Sequence, residues 1–191
     1  MRRAGAWAAV AAALAAGPAA ACFLERGPSG IATRDPLAIP VLVAGGAAVE
    51  AGRVAPIEGV AALAEATAVL SYVPRALDGD AFAGPAGRFA VLQARSGYWS
   101  RFAVADGRIA AEAHAGGPGG AATVIVVDDA ALLSALRGGA GPGAMREAGL
   151  MRARGPGAEA ALETYEAMLS RFTESRLGRL IASGAAPEPS R

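Results

Sequence analysis

The chain has 191 residues, 18 positive and 17 acidic for a net charge of +1, with 53% hydrophobic and only 5% aromatic side chains. This length suits one domain with a respectable core, and without a basic stripe to meet a phosphate backbone nucleic acid is not an expected partner. Every positive side chain is arginine and lysine is absent, so Schiff-base catalysis and the phosphate-gripping lysine of a P-loop are both excluded.

The first element is a leader. Arg2 and Arg3 form a positive front, Ala4 to Ala16 an apolar run ending at Gly17-Pro18, and Ala19-Ala20-Ala21 a small-residue box. These are the parts of a secretory signal peptide, expected over residues 1–21. The run is too short to span a bilayer as a mature helix, which needs about 20 apolar residues. The only cysteine, Cys22, follows the box directly. This placement resembles a bacterial lipoprotein signal, with Cys22 as the lipidation site, although Ala19 stands where leucine is usual. The plainer alternative is simple secretion, leaving Cys22 as an odd free thiol. The expected location is exported: periplasmic, or membrane-anchored facing the periplasm.

Residues 22–55 read as an N-terminal tether followed by an apolar segment. Pro36 to Val49 is interrupted by Pro40 and Gly45-Gly46. It is too short for a membrane span, and its periodicity fits a buried strand or a segment lying across a groove. A single α+β domain is expected over residues 56–183, with a disordered tail over 184–191. The domain opens with one N-terminal helix from Pro56 to Val73, where Val60, Leu63, Thr67, Leu70 and Val73 form an apolar face and Pro74 stops the run.

The period then changes. Phe89 to Ala94, Tyr98 to Ala105 and Arg108 to His114 are short strand-like runs, the last two joined by the hairpin signal Asp106-Gly107. Ala122 to Val127 follows a loop rich in glycine, and Leu150 to Arg154 completes an antiparallel β-meander of about five strands. Helices are expected at Ala130 to Arg137, capped by Asp128 or Asp129, at Gly141 to Ala148, and from Ala158 to about Ala182.

Chemistry-bearing patterns are sparse. His114 is the only histidine; the G-x-S-x-G elbow is absent, so an exposed strand-end histidine is the expectation and a small hydrolase the weakest function class. One histidine and one cysteine form no spaced metal-ligand cluster. Gly139 to Ala144 has the letters of a dinucleotide loop but follows a helix rather than a strand, so no cofactor is expected. No catalytic residue is assigned, and the chain is read as a non-enzyme. Alanine fills volume poorly, which leaves room for an apolar pocket between sheet and helices. Trp99, Phe102, Leu133, Leu136, Met145 and Leu150 are the candidate wall residues, with Tyr98, Met151, Tyr165 and Met168 nearby in the same apolar set.

The run from Phe89 to Leu169 resembles the sterol carrier protein type 2 family. The motifs are the tryptophan-bearing strand GYWSRFAV, the hairpin ADGRIAAEA, the β-run ATVIVVDD, the helix AALLSALRGG, the passage GAMREAGLMRARGPG and the closing helix AEAALETYEAML. Pro156 after Gly155, and Ala121-Ala122 before the β-run, depart from the family pattern. The resemblance implies an α+β domain with a five-stranded sheet and an apolar tunnel for a lipid or isoprenoid-like tail, and it carries over no catalytic residue. The expected function is binding of an apolar ligand in the bacterial cell envelope. The alternative is a structural or interaction lipoprotein whose partner is another envelope protein.

Overall fold

The computed structural model describes residues 35–183. The leader, Cys22 and the C-terminal tail therefore lie outside the described residues. Among the described residues six helices and five strands run in the order α1 (Ala38–Glu50), α2 (Gly59–Leu77), β1 (Gly87–Gln93), β2 (Trp99–Ala105), β3 (Arg108–Ala115), β4 (Val124–Val127), α3 (Asp129–Leu136), α4 (Pro142–Glu147), β5 (Met151–Arg154), α5 (Ala158–Glu174) and α6 (Arg176–Ala182). The fold is α+β, as the sequence implies.

The sheet is mixed rather than purely antiparallel. Its strand order is β3-β2-β1-β4-β5. The β1-β2-β3 meander forms as expected, and the Asp106-Gly107 turn has φ of 50° and 70° at its two positions, the geometry of a hairpin turn that matches strand twist. The fourth strand departs from the meander: β4 pairs parallel with β1, from Ala90↔Val124 to Gln93↔Val127, and antiparallel with β5. The link from β3 to β4 is a crossover rather than a tight turn. It carries the chain over β2 and β1, and it can be short because β4 begins opposite Ala90, close to the level at which β3 ends. Gly119 and Gly120, with φ of 59° and 79°, give this crossover its left-handed corners.

Strand alternation divides the side chains between two faces. One face buries Phe89, Val91, Phe102, Val104, Ile109, Ile125 and Val127 against the helices. From α2 come Ala66, Leu70, Val73 and Leu77, from α3 Leu132, Leu133 and Leu136, and from α5 Leu162, Tyr165, Met168, Leu169 and Phe172. The opposite face buries Ala90, Leu92, Trp99, Val124 and Val126, with Ala38 and Val41 of α1 laid on them.

Three expected elements differ. Pro36 to Val49 is mostly helix rather than strand: Ala38, Val41, Gly45 and Ala48 are its buried residues, a helical spacing that the uniform apolarity of the segment hides. Its Gly45 is a contact, not a breaker, since a Cβ there would collide with the Asp128 carboxylate. Pro74 does not stop α2; the helix runs on to Leu77, because burial of Val73 and Leu77 holds the final turn. Of the expected face Thr67, Leu70 and Val73 are buried, together with Ala66, whereas Val60 is 63% exposed. With 19 residues α2 is long and apolar enough to cross a membrane by length and composition, and in this fold it packs on β3, α3 and α5. The closing helix is two helices. Ser175 turns out of helical geometry and its Oγ accepts from Gly178 N–H at 3.0 Å, capping α6.

Candidate functional site

Five of the six residues expected to wall a pocket come together. Phe102, Leu133, Leu136, Met145 and Leu150 belong to one buried cluster between sheet and helices. Trp99 does not join them; it lies on the opposite face, 5% exposed, beside Leu92 and Val126 under α1. Phe102 stacks on Phe89 with centroids 5.4 Å apart and a 17° interplanar angle, and Tyr165 closes the group at 5.7 and 6.1 Å. These side chains interlock as core. Burial pushes the pKa of the Tyr165 hydroxyl well above its usual value, and the Asp129 charge adds to the rise.

The Asp128-Asp129 pair holds two elements together. Asp128 caps α3, accepting from Ala130 N–H at 3.0 Å and Ala131 N–H at 3.1 Å, and its other oxygen takes Arg95 Nε at 2.9 Å. Asp129 accepts the Arg95 N–H at 2.7 Å and the Ser96 N–H at 3.3 Å, fixing the β1–β2 turn. Burial raises its pKa to about 6, more than the hydrogen bonds from Ser96 and Arg95 lower it. A raised carboxyl pKa means that the folded state holds its proton where the unfolded state has released it. This contribution to stability is full below about pH 4 and falls as pH rises to about 6. The stability of the native chain relative to an Asp129→Asn variant should therefore decline over that window in denaturant titrations; a flat or rising difference would contradict the burial argument.

His114 sits in a β-bulge. The register between β2 and β3 shifts between Trp99 and Arg101, and His114 takes up the extra residue with φ of 58°. Its ring meets Tyr98 edge-on at 4.8 Å, and Nδ1 is buried without a hydrogen bond. Burial first, then the Arg75 charge, lowers its pKa. No carboxylate orients it and no hydroxyl is bonded to it among the described residues, so the parts of a hydrolytic triad are not assembled. No group of three or more possible metal ligands occurs among the described residues either.

The site that remains is a groove the large apolar residues do not announce. A cavity of about 520 Å³ lies along β1, β2 and β3 beneath the crossover, lined by Asp78, Arg88, Phe89, Arg101 to Ala103, Ala110 to Glu112 and Pro118 to Ala122. The registers Arg88↔Ala103↔Ala110 and Arg101↔Glu112 set these side chains on the face opposite Phe89 and Phe102, whose backbones complete the floor. The floor is thus alanine, and the rim is charged. Arg101 Nη2 meets Glu112 Oε1 at 2.6 Å, and Asp78 Oδ1 accepts the Ala111 N–H at 2.9 Å. Gly119 lies so close over Arg101 that a Cβ there would collide with its guanidinium. A smaller cleft of about 210 Å³ begins where Arg88 and Phe89 leave the groove and runs past Val104, Thr123, Ala161 and Thr164 toward the start of α5.

Of the expected wall residues Phe102 alone lines the groove. Arg88, Arg101, Ala103, Ala110 and the crossover glycines were not singled out from the sequence. The Asp106-Gly107 hairpin was the available signal, because counting back from a two-residue turn pairs Ala103 with Ala110 and Arg101 with Glu112.

The chain is similar in structure to a protein described as a UbiJ-SCP2 ubiquinone synthesis protein. The match covers 68% of this chain and 95% of that one, at 13% sequence identity and a TM-score of 0.32. No protein-family model matches the sequence, and neither does any curated protein. What the groove can hold follows from its own lining.

Proposed function

We propose that this protein binds an apolar or amphipathic small molecule, of the lipid or isoprenoid kind, in the groove beneath the β3–β4 crossover. The observation that supports this reading is the cavity of about 520 Å³ floored by the side chains of Ala103 and Ala110. A flat alanine floor grips no particular shape, but it removes methylenes from water, and each contributes about 0.8 kcal/mol when buried. Micromolar binding is about 8 kcal/mol and association costs at least about 4 kcal/mol more, so a tail of about fifteen buried methylenes is needed to reach it. The protein acts as a carrier or sensor rather than an enzyme in this reading, since both groove carboxylates are engaged and His114 has no catalytic partner. An envelope location is part of this proposal, and what supports it is the leader pattern of residues 1–21 with the lipidation candidate Cys22.

Ala110 is exposed on an edge strand and faces the groove, so Ala110→Trp should fill the cavity without disturbing the core. Titration with the fluorescent apolar probe N-phenyl-1-naphthylamine should give saturable binding to the native protein and at least tenfold weaker binding to the variant, with unchanged thermal unfolding. Equal binding by the two, or none by the native protein, would defeat the groove as the site. A second reading, an envelope protein that works through a protein partner, has in its favour the exposed Ile39 and Val43 of α1. Affinity capture from membranes would then yield one stoichiometric protein and no extractable small molecule.

A further inference from the structure

The groove carries more information than its apolar floor. We infer that its ligand is an amphiphile with an acidic head group, a carboxylate or a phosphate, received by Arg88 and Arg101. This rests on the groove being the binding site.

Arg88 stands opposite Ala103 on β1–β2, and Arg101 stands opposite Ala90. The two arginines are thus diagonal neighbours on one face, with Cα atoms about 7–8 Å apart, and both line the same cavity. Side chains of this length reach a common point from such positions. Two carboxylates also line the groove, and both are engaged: Asp78 Oδ1 by the Ala111 N–H and Glu112 Oε1 by Arg101 Nη2. The donors left over belong to the arginines. Arg101 Nε is buried with no hydrogen-bond partner, a costly state for a charged donor. The Arg88 side chain is exposed and makes no ion pair or side-chain hydrogen bond among the described residues. Gly119 permits the crossover to lie against the Arg101 guanidinium, which holds that side chain beside the cavity instead of free in solvent.

A guanidinium presents paired donors in a plane that matches the oxygens of a carboxylate or a phosphate. An alcohol or amide head offers one neutral acceptor and leaves most of these donors unused. The alanine floor of Ala103 and Ala110 extends from between the two arginines toward the β3 edge, so a head at the arginines lays its tail on apolar surface.

The test uses the full chain at low ionic strength with three probes of equal tail length, dodecanoate, dodecyl phosphate and dodecanol, each below its aggregation threshold. Calorimetric titration should give at least one acidic probe binding tenfold or more tighter than the alcohol, and the tighter of the two identifies the head group. Raising the salt should narrow that ratio. Arg88→Gln and Arg101→Gln should each reduce the ratio at least fivefold while the melting temperature stays within a few degrees of native. An alcohol that binds as tightly as both acids, or a ratio unmoved by both substitutions, overturns the head-group inference and leaves the groove standing. Failure of all three probes to bind overturns the groove reading and this inference together.

Discussion

Asp128→Ala is expected to lower the unfolding free energy by roughly 2–4 kcal/mol, read as a fall in the midpoint of urea denaturation with an unchanged slope. The carboxylate is fully buried and performs two tasks. Losing the cap on Ala130 and Ala131 costs about 0.5–2 kcal/mol. Losing the partner of Arg95 leaves a guanidinium beside a sealed interior, a penalty of several kcal/mol in a fully buried setting. That second cost is moderated because the Arg95 side chain is 27% exposed and can turn toward water. The substitution also removes the group against which Gly45 of α1 is seated, so Trp99, under the same helix, should shift its emission to the red. A loss below about 0.5 kcal/mol with unchanged emission would show that the carboxylate is dispensable to both helices.

Phe102→Ala should cost still more, roughly 3–5 kcal/mol. The ring is 3% exposed and fills the space between Phe89 and Tyr165, so its removal forfeits two aromatic contacts as well as its own burial. Phe102→Leu should recover most of that loss by keeping the volume. Chemical denaturation of both variants decides the matter. A loss under about 1 kcal/mol for Phe102→Ala would mean that the core has slack at this point and that a guest could occupy it, returning the ligand to the side of the sheet where the sequence first places it.

That contrast marks where sequence reasoning succeeded. The β1-β2-β3 meander, the Asp106-Gly107 turn, the capping role of Asp128 and the α3–α4–β5–α5 order were legible because each depends on neighbours in the chain. The direction of β4 was not, because it depends on where an eight-residue crossover delivers the strand, and glycines permit either course. The helical nature of α1 was hidden for a different reason: an apolar segment with no charged residue before Glu50 shows no contrast between faces. The site was the least legible part. Large apolar residues attract attention as wall candidates, yet Leu133, Leu136, Met145 and Leu150 spend their size on filling the interior. The groove is defined by what is small, Ala103, Ala110 and Gly119, and by two arginines that only register brings together.

The chain between α2 and β1 runs along the outer margin of β3. Gly79 N–H donates to Ile109 O, Ile109 N–H to Asp80 O and Phe82 N–H to Gly107 O, while Asp78 takes the Ala111 N–H. At the other margin β5 has only four residues, two of them Arg152 and Arg154. Neither flank offers a long run of free amide and carbonyl groups on which another molecule could grow a strand. Among the described residues the sheet is thereby a poor template for edge-to-edge strand addition, the route by which a chain with 53% hydrophobic residues would otherwise be drawn into fibrils.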